Sequence, residues 1–195
     1  MLLIICGKSG SGKDALLKRL VEHYKFCPII STTSRPPRFG EMNGVEYNFV
    51  SKEKFLELID RDAFIEYRTY NTLVDNIADT WYYGTEKRSL QPWTRYAVIL
   101  DITGTKKFLE YFGKENCCVV YINVSDDVRT LRAKNRGSFD ECEWNRRLEA
   151  DANDFSEEMI KSVDAYTVEN NGLFDDTVEK VFNYYRNYTK FAQLF

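Results

Sequence analysis

Gly7-Lys8-Ser9-Gly10-Ser11-Gly12-Lys13 packs glycines, hydroxyls and lysines into seven consecutive positions. A turn this rich in glycine can aim successive backbone N–H groups at one point and so cradle an anion. Gly7, Gly12 and Lys13 fall in register with the G-x-x-x-x-G-K core of the phosphate-binding P-loop. Lys13 adds a mobile cation able to follow β- and γ-phosphates as charge moves. The plainer alternative is a tight turn ending in an ordinary surface lysine. Asp14 and Ala15 stand where the Ser or Thr that binds Mg²⁺ would follow. Asp14 is therefore either an unusual Mg²⁺ ligand or an acidic residue favoured by the helix dipole.

A second chemical stretch lies further on. Arg35 and Arg38 flank the Pro36-Pro37 pair, which excludes a helix and holds both guanidinium groups on a stiff extended segment. Such a pair can clamp one small anion from two sides, or form a solvated basic loop.

The elements that must position these residues follow from hydrophobic patterning. Met1 to Cys6 is an unbroken apolar run that suits a strand buried on both faces of a parallel sheet. Leu16, Leu17, Leu20 and Val21 form the stripe of a helix directly after the glycine loop, which is the context the P-loop needs. Phe26 to Ile30 reads as a short strand, edge-like because of Pro28, and Ser51 as the cap of a helix burying Phe55. Tyr96 to Ile102 and Cys117 to Val124 read as central strands. Ser125-Asp126-Asp127 caps a helix carrying Val128 and Leu131, and Tyr166 to Gly172 is a last strand and turn. Phe174 to Tyr188 is a closing amphipathic helix. Strands alternating with helices predict an α/β fold: a parallel sheet of about five strands with helices on both faces.

At 195 residues with 44% hydrophobic content and a net charge of −3, the chain suits one well-buried domain and lacks the basic excess of a nucleic-acid binder. Five cysteines without a CxxC pair, and His23 as the lone histidine, argue against a disulfide framework or a zinc site. Cys6, Cys27, Cys117 and Cys118 are expected to act as small apolar residues in a reducing compartment. No stretch reaches membrane-spanning length and no secretory leader is evident, so a cytoplasmic location is expected.

The run from Thr33 to Val50 resembles the signature of the guanylate kinase family, with Thr33, Ser34, Arg35, Arg38, Glu41, Gly44, Tyr47, Phe49 and Val50 all in place. With the glycine loop upstream, the resemblance covers nearly the whole chain. It implies ATP as phosphoryl donor, Mg²⁺ as cofactor and a nucleoside 5′-monophosphate, GMP or dGMP, as acceptor. Charge and hydropathy, independently, lead to the expectation of neither a nucleic-acid nor a membrane partner, and a monomer or homodimer is expected. Gly7, Lys8, Ser9, Gly10, Ser11, Gly12, Lys13, Asp14 and Asn170 would then bind ATP. Arg35, Arg38, Tyr47 and Tyr83 would hold the acceptor phosphate, and Ser31, Glu66, Thr85, Asp101 and Thr103 would lie at its base. Asp14 and Asp101 would be the metal carboxylates.

Residues 132–149 resemble the family's mobile lid, which would bring Arg132, Arg136 and Arg147 to the transferring phosphoryl group beside Lys13. Read from charge alone, those arginines form a solvated helical face. The implied organisation is a core of 1–31, 89–131 and 150–195, a monophosphate-binding excursion at 32–88 and the lid.

Two further departures mark this sequence. Glu66 and Tyr83 stand further apart than the family pattern, so Tyr70 to Thr80 is expected to be an enlarged hairpin or loop. Thr103 replaces a second base-reading aspartate, which implies weaker discrimination for the guanine 2-amino group. These leave a kinase for another (deoxy)nucleoside monophosphate as one alternative, and the Asp14-Ala15 pair leaves a catalytically inactive binding module as another.

Overall fold

The structure, a computed structural model, describes residues 1–38, 40–74, 77–135 and 139–192. The chain opens with β1 (Leu2–Cys6), the glycine loop and α1 (Lys13–Tyr24). The short strands β2 (Cys27–Pro28), β3 (Thr32–Thr33) and β4 (Asn48–Phe49) follow. Next come α2 (Lys52–Asp60) and the long pair β5 (Phe64–Val74) and β6 (Ile77–Glu86). After β7 (Tyr96–Ile99) and α3 (Ile102–Phe112) the chain runs through β8 (Cys117–Asn123), α4 (Asp126–Lys134) and α5 (Glu141–Asp154). It closes with α6 (Glu157–Lys161), β9 (Tyr166–Glu169) and α7 (Phe174–Ala192). Two compact units result: Met1–Pro28 with Pro92–Phe195, and Ile29–Gln91.

In the first unit the sheet order is β2-β7-β1-β8-β9, with every pairing parallel. Central β1 is buried along its whole length, as its unbroken apolar sequence requires. Leu16 and Leu20 of α1 and Val178 and Val181 of α7 join Leu3 and Ile5 in one core. Parallel pairing brings the carboxyl ends of the strands to one edge, where α/β folds bind ligands. The glycine loop leaves β1 at that edge.

Several boundaries differ from the sequence reading. β7 stops at Ile99, because Asp101 turns the chain as N-cap of α3, its Oδ1 accepting the Gly104 N–H at 2.6 Å. β2 keeps the expected edge position but shrinks to two residues, and Cys27 on it is exposed rather than apolar filling. Ser125 is the N-cap of α4 by position yet makes no side-chain cap bond, and Leu131 faces solvent at 59% exposure. α7 runs to Ala192, beyond the expected Tyr188.

The second unit has a sheet of order β4-β3-β6-β5, in which β3 and β4 run parallel and the other pairs antiparallel. Ser51 accepts the Lys54 N–H at 3.1 Å and caps α2, whose Phe55 is fully buried and stacked on Phe64 at 4.5 Å. The enlarged segment is an extension of the β5–β6 hairpin, paired in register from Glu66↔Thr85 to Val74↔Ile77. A register shift between Phe64 and Glu66 marks a bulge. At Gly84 any Cβ would lie 2.9 Å from the Glu66 carbonyl oxygen and from Phe64 and Tyr67 side-chain atoms, so the close approach of β5 to β6 there demands glycine.

Candidate active site

The glycine loop is built as the sequence predicts, between β1 and α1. Gly12 caps α1 at φ 94°, a left-handed conformation that L side chains resist. The Lys13 ammonium turns back onto the loop, donating to the Gly7 carbonyl at 2.6 Å and the Lys8 carbonyl at 2.9 Å. Burial lowers its pKa, the nearby Asp14, Asp151 and Cys6 oppose the shift, and Arg129 adds to it. Asp14 and Ala15 lie exposed on the first turn of α1.

Side chains from the far end of the sheet brace this loop. Asn170 is buried, with Nδ2 donating to the Ser11 carbonyl at 2.9 Å and Oδ1 accepting the Thr177 hydroxyl at 3.0 Å. Arg132 of α4 donates to the Asn170 carbonyl at 2.8 Å and the Ser11 carbonyl at 3.4 Å. Arg132 and Asn170, with Gly10, Gly12, Ala15, Asn135 and Phe174, line a cleft of about 440 Å³. Ser9 is held separately: Asp151 accepts its N–H and Arg129 donates to its carbonyl. Nothing in the spacing of Arg129 and Asp151 signalled this contact, which exists only once α4 and α5 are packed.

The second unit gathers the arginine and tyrosine residues. Arg35 is buried, its Nη2 donating to both Glu41 carboxylate oxygens at 2.9 Å and its Nη1 to the Pro36 carbonyl at 2.7 Å. Its guanidinium lies 5.6 Å from the Tyr47 ring centre and 5.7 Å from that of Phe49. Tyr47 meets Tyr83 edge-on at 5.7 Å, and Tyr83 meets Tyr70 edge-on at 5.3 Å. Arg38 keeps its side chain exposed while its N–H donates to Glu41 at 2.7 Å. Burial pushes the Glu41 carboxyl up, but the Arg38 N–H and the Arg35 guanidinium outweigh it and hold the group below the usual range. Burial raises the Tyr83 phenol, against the pull of Arg35.

Beside this cluster runs a hydrogen-bonded chain. The Ser31 and Thr85 hydroxyls lie 2.9 Å apart, and Thr85 donates to Glu66 Oε1 at 2.9 Å. Glu66 and Thr85 are both buried. The bulge in β5 is what sets Glu66 opposite Thr85, so that both side chains share one face. Asp101 and Thr103 belong instead to the first unit, at the start of α3, where Asp101 is buried and Thr103 exposed.

Of the arginines expected in a lid, Arg132 touches the glycine loop, as above. Arg147 on α5 donates to Glu143 at 2.8 Å, and Arg146 clasps the same carboxylate at 2.7 and 2.9 Å. Arg136 lies outside the described residues.

A glycine loop at the carboxyl edge of a parallel sheet, with a second unit gathering arginine, tyrosine and glutamate, places the chain among α/β phosphotransferases. The guanylate kinase family model matches residues 1–188. The guanylate kinase of Caldanaerobacter subterraneus subsp. tengcongensis is 33% identical over 187 residues, covering 93% of this chain and 84% of that protein. That of Neisseria gonorrhoeae is 36% identical over 154 residues, 75% of this chain and 70% of the other. The crystal structure of guanylate kinase from Anaplasma phagocytophilum superposes with a TM-score of 0.61 at 21% identity, covering 96% of this chain and 85% of that one. The chain belongs to the guanylate kinase family.

Proposed function

We propose that this chain transfers the γ-phosphoryl group of ATP to a guanine nucleoside 5′-monophosphate, forming GDP from GMP and dGDP from dGMP. The observation that carries the reading is the Ser31–Thr85–Glu66 hydrogen-bonded chain, with Thr85 and Glu66 buried, beside the Arg35–Tyr47–Tyr83 cluster. A guanine edge offers two adjacent donors, N1–H and the 2-amino group, and a buried carboxylate is their complement. Adenine presents a bare acceptor at N1, which a carboxylate repels. Arg35, Arg38, Tyr47 and Tyr83 then hold the acceptor phosphate, with Glu41 setting the pose of Arg35.

In the first unit the loop amides and Lys13 hold the donor phosphates, and the cleft beside Gly10, Gly12 and Phe174 takes the adenine. Arg132 and Phe174 offer a planar cation and a ring to that base. Asn170 lines the cleft, but its amide is engaged at both ends, so it shapes the loop rather than reading the base. Arg147 and Arg136 complete the charge around the transferring group. The P-loop P–O chemistry needs positioning and charge neutralisation more than covalent catalysis.

Mg²⁺ takes one or two carboxylates together with water and phosphate oxygens. Asp14, an exposed carboxylate directly after Lys13, fits that donor set, and no larger cluster of metal-type ligands occurs among the described residues. Asp14 and Asp101 are the carboxylates proposed to hold the ion, which when bound neutralises phosphate charge. A cytoplasmic setting fits these substrates, and no helix among the described residues is long and apolar enough to cross a membrane.

Thr103 favours a second reading, in which acceptors other than guanine nucleotides are also used. Chromatography of ATP and GMP incubated with the chain tests the proposal. GDP and ADP in equal amounts are expected; ADP released without GDP would overturn it.

A further inference from the structure

Arg129 and Asp151 are buried together against Ser9, at 1% and 6% exposure. Nη1 of Arg129 donates to Asp151 Oδ2 at 2.7 Å and to the Ser9 carbonyl at 2.7 Å. Asp151 accepts the Ser9 N–H at 2.9 Å on Oδ2 and 3.1 Å on Oδ1, and the Ser9 hydroxyl at 3.2 Å. The Nε and Nη2 atoms of Arg129 both donate to Asp126 Oδ1, at 3.2 and 2.7 Å. Every polar group of Ser9 is thereby engaged by one ion pair.

A buried ion pair is a poor source of stability, because desolvating both charges cancels most of their attraction. What this pair does supply is geometry. Both peptide groups flanking the Ser9 Cα are pinned, one by a carboxylate and one by a guanidinium, in the middle of a loop whose shape decides where its amides point. The pinning groups sit on α4 and α5, the same helices that carry Arg132 and Arg147. The backbone of Arg129 also packs close to the loop, its carbonyl lying 3.2 Å from where a Cβ on Gly10 would be.

We infer that Arg129 and Asp151 are positioning residues for ATP binding, which clamp the Ser9 peptide so that the loop is preorganised and tied to α4 and α5. The inference rests on reading the glycine loop as the ATP site. It differs from a packing role, in which the pair merely fills space. It differs also from a competing role, in which the Asp151 carboxylate stands in for a phosphate that must displace it.

The test uses the full chain with Arg129→Leu and Asp151→Ala together, which leaves no unpaired buried charge behind, since Asp126, the other partner of Arg129, is exposed to water. Melting temperature, calorimetric ATP affinity, and the KM values for ATP and GMP are measured beside the unaltered chain. A folded double variant is expected with Kd and KM for ATP raised about tenfold, the scale of one charge-assisted hydrogen bond, and KM for GMP unchanged. Asp151→Asn, which keeps the side-chain volume and one acceptor oxygen, is expected to fall in between. A folded double variant with unchanged ATP constants overturns the inference in favour of packing, and tighter ATP binding overturns it in favour of competition. Should the double variant not fold, Asp151→Asn decides: an unchanged KM for ATP overturns the inference. Failure of the unaltered chain to bind ATP would instead sink the reading of the loop, and the inference with it.

Discussion

The Lys13 ammonium is satisfied by two backbone carbonyls, so phosphate binding has to draw it from acceptors it already holds. That placement keeps a desolvated cation at the loop, where it is worth more than in water. Lys13→Ala is expected to lower turnover by about a hundredfold or more while leaving GMP affinity intact, measured by steady-state kinetics and GMP titration. Unchanged turnover would remove Lys13 from the chemistry. Glu41 is the acceptor-side counterpart, because it fixes the Arg35 fork and the Arg38 N–H together. Glu41→Gln is expected to raise KM for GMP about tenfold with KM for ATP unchanged, since a charged hydrogen-bond partner is lost on one substrate only. Equal changes in both constants would show a general loosening instead. The loop lysine and both arginines were legible from short-range spacing. The partner of Arg35 was not, because the five positions between it and Glu41 carry no pattern that announces the pairing.

Helix α5 shows how charge supports an element. Arg146 and then Arg147 outweigh a modest burial cost and hold the Glu143 carboxyl down at about 2, against an ordinary 4.5. A carboxyl lowered by folding stabilises the fold above its unfolded value, and that gain disappears as pH falls through the folded one. All three side chains are more than a third exposed or close to it, so screening keeps the gain below about 1 kcal/mol. Urea midpoints of the unaltered chain and Glu143→Gln are expected to differ at about pH 6 and converge towards pH 2. A constant difference would contradict the assignment. Helices α1, α2, α4 and α7 were readable from their caps and apolar stripes, and the central strands from their apolar runs, whereas α3 and α6 were not anticipated. The β5 bulge was not, since Phe64-Ile65-Glu66 carries no local mark of a register shift, yet it is the bulge that delivers Glu66 to Thr85. Asp101 misled for a related reason: an apolar run ending in aspartate reads equally as strand or as strand plus helix cap, and the cap won.

At the scale of the whole chain, two units divide the proposed work, the first carrying the donor loop and the second the acceptor cluster. The parallel sheet and the family were legible because their signals are contiguous: an apolar strand, a glycine loop, and the Thr33 to Val50 run. Contacts between distant segments, such as Ser9 with Asp151 or Ser11 with Asn170, leave no such trace. The claim that unites the levels is guanine selection by a buried carboxylate. Relative kcat/KM for GMP, dGMP, AMP, CMP, UMP and dTMP, followed by ADP release with Mg²⁺-ATP, tests it most directly. The account predicts GMP and dGMP well ahead of every other acceptor, with the lead over AMP widened by Thr103→Asp. A pyrimidine or adenine monophosphate turned over as fast as GMP would contradict it.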